Sequence, residues 1–185
     1  MLDLREARRA RPVQLRRTGV PMLQCLLIGD ESLLAQCGDL LKSRGYGIAA
    51  VVSANPSIRR WASAQSIPAL EWGADLSATL DGIEYDWLFS IANLRMLPET
   101  VWKKARKGAV NFHDGPLPRF AGLNTPSWAI LEGAATHGVT WHAITAGADE
   151  GDIYAQALFD IAPDETGFTL NSRCFEAGIA TFAEV

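Results

Sequence analysis

The sequence predicts an α/β fold: a doubly wound, mostly parallel sheet with an antiparallel extension near the C-terminus. Three observations point there. From Leu23 onward, short apolar runs alternate with segments of helical period. The first such unit is strand–helix–strand, which calls for a right-handed crossover and parallel pairing. Near the C-terminus two strand-like runs follow one another across a tight turn, a connection that suits antiparallel strands and is too short for a parallel crossover.

Leu23-Gln-Cys-Leu-Leu-Ile28 is apolar enough for a strand buried on both faces. Gly29-Asp30 turns the chain. Glu31 to Arg44 then places apolar residues at 33, 34, 37, 40 and 41, a helical period that Gly45 closes. Ile48 to Ser53 is the second strand. The intervening turn lacks the G-x-G-x-x-G spacing that cradles a pyrophosphate, so it reads as an ordinary strand–helix turn. Pro56 to Ala64 reads as a helix, Ile67 to Leu70 as a short edge strand, and Asp86 to Ile91 as another buried strand. Pro98 suits the first turn of a helix carrying Trp102 and Lys103. Gly108 to His113 is β-prone, Pro126 to Gly133 helical, and His137 to Thr145 and Gly151 to Ile161 are two strands joined through Ala146-Gly-Ala-Asp-Glu-Gly. Asp164-Glu-Thr-Gly, with Phe168, Leu170, Phe175, Ile179 and Phe182 after it, makes a closing amphipathic helix. The chain ends inside that pattern and reads as a piece of something longer, with downstream domains fused to it. No internal repeat or low-complexity tract interrupts it.

At 185 residues the chain is expected to form one domain (23–185) that buries about two-thirds of its unfolded surface. No apolar run approaches the ~18 residues that span a bilayer, so no membrane partner is expected. Cys25, Cys37 and Cys174 are scattered without paired spacing, which suggests reduced thiols and a cytoplasmic protein. Charge is unevenly spread. Residues 1–22 hold six arginines against Asp3 and Glu6, a net +4, and the rest of the chain carries −8. An acidic body is a poor partner for phosphate backbones, so no nucleic acid is expected. The Arg-rich leader reads as a disordered tail or upstream linker, with a docking element as the alternative. No apolar stretch follows it to make a secretory signal.

The chemistry concentrates at Asn111-Phe-His113-Asp-Gly-Pro-Leu-Pro118 and Asp149-Glu-Gly-Asp152. Asn111 and His113 lie two apart on a strand and leave the same face. Pro116 and Pro118 cannot donate ladder hydrogen bonds and open the strand into a loop. An amide beside an imidazole suits work on a carbonyl: one donates to a developing oxyanion, the other donates or shuttles a proton. Asp149 would orient or charge that imidazole. His137 and His142 lack comparable partners, and His142 reads as a packing or rim residue. His113, Asp114, Asp149 and Asp152 could in principle bind a cation. No tight His or Cys pair anchors such a site, and no metal is expected.

The run Asn-x-His-x-x-x-Leu-Pro-x-x-x-Gly from Asn111 to Gly122, with Gly138-Val-Thr140 and Asp149-x-Gly-Asp152, resembles the folate-dependent formyltransferases. The resemblance implies a Rossmann-like sheet and 10-formyltetrahydrofolate as formyl donor, with Asn111, His113 and Asp149 as the catalytic trio. It also implies that Leu94, Arg95, Met96 and Leu97 receive the donor's pterin ring, with Ala146, Gly147 and Ala148 closing over it. That family usually carries Ser at position 115, where this chain has Gly, and the difference bears on substrate contacts. Gly115, Arg119 and Asn124 would shape the acceptor mouth. The wording from His113 to Asn124, with Phe159 to Thr166, is most similar to formyltransferase-like domains at the front of nonribosomal peptide and polyketide synthases and of fused flavin monooxygenases. That likeness implies a primary amine acceptor, either a small molecule or an aminoacyl group tethered to a carrier protein. An amino-sugar nucleotide acceptor, hydrolysis of the donor, and a catalytically inert docking module are the alternatives.

Overall fold

A computed structural model describes residues 22–185, so the Arg-rich leader, apart from Met22, lies outside the described residues. The strands are β1 (Gln24–Ile28), β2 (Gly47–Val52), β3 (Ala69–Leu70), β4 (Trp87–Ser90), β5 (Gly108–His113), β6 (Thr136–Ala143) and β7 (Ile153–Asp160). They form one sheet in the order β3-β2-β1-β4-β5-β6-β7. The first five strands pair in parallel; β6 runs antiparallel to β5, and β7 antiparallel to β6. The doubly wound sheet with an antiparallel extension is as the sequence predicts. Strand order reverses between β1 and β4, the switch point at whose carboxyl ends such sheets bind ligands.

The helices are α1 (Ser32–Ser43), α2 (Pro56–Ala64), α3 (Leu76–Thr79), α4 (Glu99–Trp102), α5 (Thr125–Leu131) and α6 (Gly167–Phe182). Alternation along β1 feeds two cores. Cys25 and Leu27 pack with residues of α1, α2 and α6, whereas Leu26 and Ile28 pack with residues of α3 and α4. Cys25 to Ile28 are fully buried, which explains why the strand is apolar throughout instead of alternating.

Two sequence features fix α6 against β6. Thr166 and Thr169 form a capping box that satisfies amides of the first turn. Trp141 Nε1 donates to the Gly178 carbonyl and to Thr181 Oγ1, each at 3.1 Å. A Cβ at Gly178 would come within 2.6 Å of the Phe112 ring, so Gly178→Ala overpacks the contact between α6 and β5. Such overpacking costs about 1–3 kcal/mol.

The differences from the sequence reading are local. The four-residue α3 is too short to show a period. Pro98 is the N-cap of α4, with extended backbone, and does not sit inside its first turn. Asp164 and Glu165 precede α6, which begins at Gly167. Among the described residues no helix is long and apolar enough to cross a membrane.

Candidate active site

β5 delivers Asn111 and His113 to one face at the carboxyl edge of the sheet, where β5 gives way to the loop 114–124. The antiparallel register sets Asn111 opposite His142 and His113 opposite Thr140 on β6. The chain leaves β6 level with Ala109, whose carbonyl accepts from Ile144 N at 2.9 Å. The 144–152 connection then folds back over Asn111 and His142 and brings Asp149 to His113. Asp149 Oδ2 lies 3.6 Å from His113 Nδ1, and Oδ1 lies 3.5 Å from His142 Nε2. Asp149 takes a left-handed backbone (φ +57°), which Asp tolerates better than most residues. Gly151 makes the return possible, because a Cβ there would collide with the Ala143 carbonyl.

The trio drawn from two separated segments is therefore brought together, and a fourth residue joins it. Asn111 Nδ2 and His142 Nε2 are 3.1 Å apart, while His142 Nδ1 lies 2.9 Å from the Ala143 carbonyl. A carbonyl only accepts, so His142 Nδ1 carries hydrogen. In the neutral ring Nε2 then accepts one N–H of Asn111 and leaves the second N–H of that amide available. Protonating Nε2 would redirect it toward Asp149 Oδ1. This role was not legible along the chain because β6 is buried on both faces from His137 to His142, which leaves no polar alternation to mark His142.

His113 is held at both ends. Its Nε2 donates to the Phe120 carbonyl at 2.7 Å, so its Nδ1 faces Asp149. A neutral ring would turn the Nδ1 lone pair toward the carboxylate, whereas a protonated ring donates to it. Asp149 Oδ2 also accepts from Gly122 N at 2.9 Å. The Asp149 carboxyl is held below the ordinary carboxylate range, chiefly by the His142 ring, which hydrogen-bonds to it when Nε2 is protonated. Partial burial opposes this, and the Gly122 amide and the nearby His113 assist it. The loop 119–122 thus contributes a carbonyl to one member of the pair and an amide to the other.

The residues expected to bind substrates fall around this cluster. Leu94 and Met96 are 78% and 67% exposed, two long apolar side chains at the carboxyl edge, while Leu97 packs against the second core. Their segment follows β4, whose Ser90 pairs in register with Asn111. Exposed apolar side chains beside the polar cluster suit a flat ring brought to that edge. Arg95 pairs with Asp30 at 2.8 Å. Ala146 and Ala148 are exposed and Gly147 partly so, on the loop that carries Asp149. Arg119 pairs with Glu132 at 3.5 Å and stacks on Phe120. An open cleft of about 350 Å³ lies there, lined by Arg119, Phe120, Ala121, Thr125, Trp128 and Glu132. Asn124 is exposed and enters α5 in a left-handed conformation (φ +59°). Gly115 is buried beneath His113 and does not line an open mouth.

Other reactive groups lie elsewhere. The three cysteines are free and buried, and burial pushes the Cys25 and Cys174 thiols up to about 12, which keeps them protonated and unreactive. Among the described residues no three His, Cys, Asp or Glu side chains are grouped to hold a metal. Asp114 accepts from Thr125 Oγ1, and its carbonyl lies 2.8 Å from His137 Nε2.

Comparison with known proteins agrees with the fold and the motif. Methionyl-tRNA formyltransferase from Anaeromyxobacter dehalogenans (strain 2CP-1 / ATCC BAA-258) is 28% identical over 172 residues, which cover 84% of this chain and 55% of that protein. The chain spans about half the length of the curated relatives it matches. Among solved structures, a formyltetrahydrofolate deformylase from Pseudomonas syringae pv. tomato superposes with a TM-score of 0.81 at 20% identity, covering 89% of this chain and 60% of that one. Glycinamide ribonucleotide transformylase 1 from Symbiobacterium toebii superposes with a TM-score of 0.77 at 22% identity, covering 86% and 83%. At such identities these two likenesses show a shared fold. Residues 28–185 match the formyl transferase family over most of the chain, and the chain belongs to that family.

Proposed function

We propose that this chain is the catalytic domain of an enzyme that moves the formyl group of 10-formyltetrahydrofolate onto a primary amine. The observation that carries the reading is the convergence of Asn111, His113 and Asp149, with His142 behind them, at one point on the carboxyl edge. The donor's ring would lie against Leu94, Met96 and Leu97, and its formyl carbon would face Asn111 and His113.

The amine nitrogen bonds to the formyl carbon, and the carbonyl oxygen takes up negative charge. The N–H of Asn111 not used by His142 donates to that oxygen, and a protonated His113, whose two N–H groups point to Phe120 and Asp149, adds its positive charge beside it. Losing one such donor typically costs about two to three orders of magnitude in rate. Asp149 holds the His113 proton in place and accepts, directly or through water, the proton released by the attacking nitrogen. That proton passes to the donor nitrogen as the carbon–nitrogen bond breaks, so the products are the N-formyl amine and tetrahydrofolate. Hydrogen bonds keep Asp149 ionised near neutral pH, so it is a weak base that relays the proton onward without retaining it.

For the acceptor, the motif wording supports an aminoacyl group, free or tethered to a carrier protein. The −8 charge of residues 23–185 disfavours a nucleic acid. The cleft of Phe120, Trp128 and the Arg119–Glu132 pair adjoins the Phe120 carbonyl that holds His113 and would admit the acceptor. Incubating the protein with 10-formyltetrahydrofolate and a panel of amines tests the reading. The panel holds free amino acids, carrier-bound aminoacyl thioesters and an amino-sugar nucleotide, each scored by mass for an added formyl group. Formylation of an aminoacyl amine is expected. Formylation of the amino sugar alone would replace the acceptor, formate release without transfer would make the protein a hydrolase, and no donor consumption would make it an inert module.

A further inference from the structure

We infer that Asp30 and Arg95 form a latch across the switch point of the sheet, holding the 91–97 segment where it receives the flat ring of the formyl donor. The inference rests on the folate-dependent reading above and adds two positioning residues to it.

Asp30 follows β1 and Arg95 follows β4, the two strands between which the sheet reverses its order. Arg95 Nη1 donates to Asp30 Oδ2 at 2.8 Å, and the guanidinium stacks over Trp72 at 4.9 Å. The other oxygen of Asp30 accepts from Ser53 Oγ at 2.9 Å and from Ala54 N at 2.6 Å, and its main-chain carbonyl accepts from Asn55 Nδ2 at 2.7 Å. One carboxylate therefore ties together the turns after β1, β2 and β4. Contact between the first and last of these turns is also made by the backbone: a Cβ at Gly29 would collide with the Ile91 carbonyl.

The segment itself is folded tightly around Asn93. The Asn93 amide donates to Ser90 Oγ at 3.2 Å and to the Arg95 carbonyl at 2.8 Å, and its oxygen accepts from Arg95 N at 3.1 Å. With Arg95 drawn toward Asp30, its neighbours Leu94 and Met96 stand outward. Two apolar side chains on a pinned backbone form a ready surface, and ordering it in advance removes a cost that binding would otherwise meet. The Arg95 and Asp30 side chains are 42% and 27% exposed, and exposed pairs of this kind add little to global stability. Its consequence is therefore expected in loop position and donor affinity, with little change in melting.

The test compares wild type with D30N, R95Q and the double variant. D30N keeps a side-chain oxygen for Ser53 and Ala54, so the turn itself is preserved. Each protein is titrated with 10-formyltetrahydrofolate, and amide hydrogen exchange is followed in 91–97 and 111–113. Wild type is expected to bind, and each single variant to bind about three- to tenfold more weakly. The double variant should match the weaker single, because both changes remove one shared contact. Exchange should quicken in 91–97 and stay unchanged in 111–113, and in D30N the donor KM should rise with kcat held. If wild type binds and the variants bind equally well, or if the double loss is the sum of the singles, the latch is overturned and the proposed reaction stands. If wild type does not bind the donor, the proposed reaction falls and the latch falls with it.

Discussion

A side chain at position 115 would meet His113 Nε2 at 2.8 Å and the Phe120 carbonyl at 2.9 Å, so the hydrogen bond joining those two groups occupies space that Gly115 leaves open. The bond decides which nitrogen of His113 faces Asp149. Serine, common at this place in the motif that the sequence resembles, could not be added here without moving the ring or the loop.

Gly115→Ser is therefore expected to lower the rate of formyl transfer by about tenfold to a hundredfold, because displacement of a reacting group by an ångström has effects of that size. The Kd for 10-formyltetrahydrofolate should stay within about threefold, since the donor surface at 94–97 is separate. Rates beside binding titrations check this. An unchanged rate would show that the link to Phe120 does not matter for the reaction.

Asn111 and His142 should act as a unit. Asn111→Ala is expected to cost about two to three orders of magnitude in rate. His142→Ala should cost less, near tenfold, because its neutral ring acts on the reaction through the amide it orients. The double variant should be no worse than Asn111→Ala, the mark of two residues working through one contact. A double loss equal to the product of the singles would give His142 an independent role.

The depressed Asp149 carboxyl links stability to acid pH. Its unfolded value is about 3.9, and its folded value is lower. The stabilisation is thus present above the unfolded value and lost as pH falls through the folded one. Chemical denaturation from neutral pH to about pH 3 should show wild type losing more stability than Asp149→Asn. Parallel curves would remove the carboxylate's hydrogen bonds from the stability of this loop.

His137 gives a second pH effect, of another origin. It is fully buried, its Nδ1 has no hydrogen-bond partner, and burial lowers its folded pKa against the opposing pull of the Asp114 carbonyl. The unfolded chain therefore binds the proton more readily. Stability is full above about pH 6.5 and declines as pH falls below it. His137→Gln keeps a donor for the Asp114 carbonyl without the titration, and should flatten the decline between about pH 7 and 5. A slope equal to that of wild type would contradict this.

The frame was legible because its signals are local. The apolar run of β1, the helical period of α1 and the two-residue spacing of Asn111 and His113 can each be read within a few positions. The Asp149 contact also came through, because the spacing of the whole motif carries it. His142 was hidden by a strand buried on both faces. Asp30 and Arg95 stand 65 positions apart, with nothing local to either that marks the other. The role of Gly115 appears only once Phe120 has turned back onto His113, a tertiary event that spacing along the chain does not encode.

The most direct measurement is formyl transfer and donor binding in parallel for wild type, His113→Ala and Asp149→Ala. Convergence of these two groups on one formyl carbon predicts that both variants bind 10-formyltetrahydrofolate within a few-fold of wild type while transfer falls by at least about two orders of magnitude. Transfer at the wild-type rate in either variant would contradict the site.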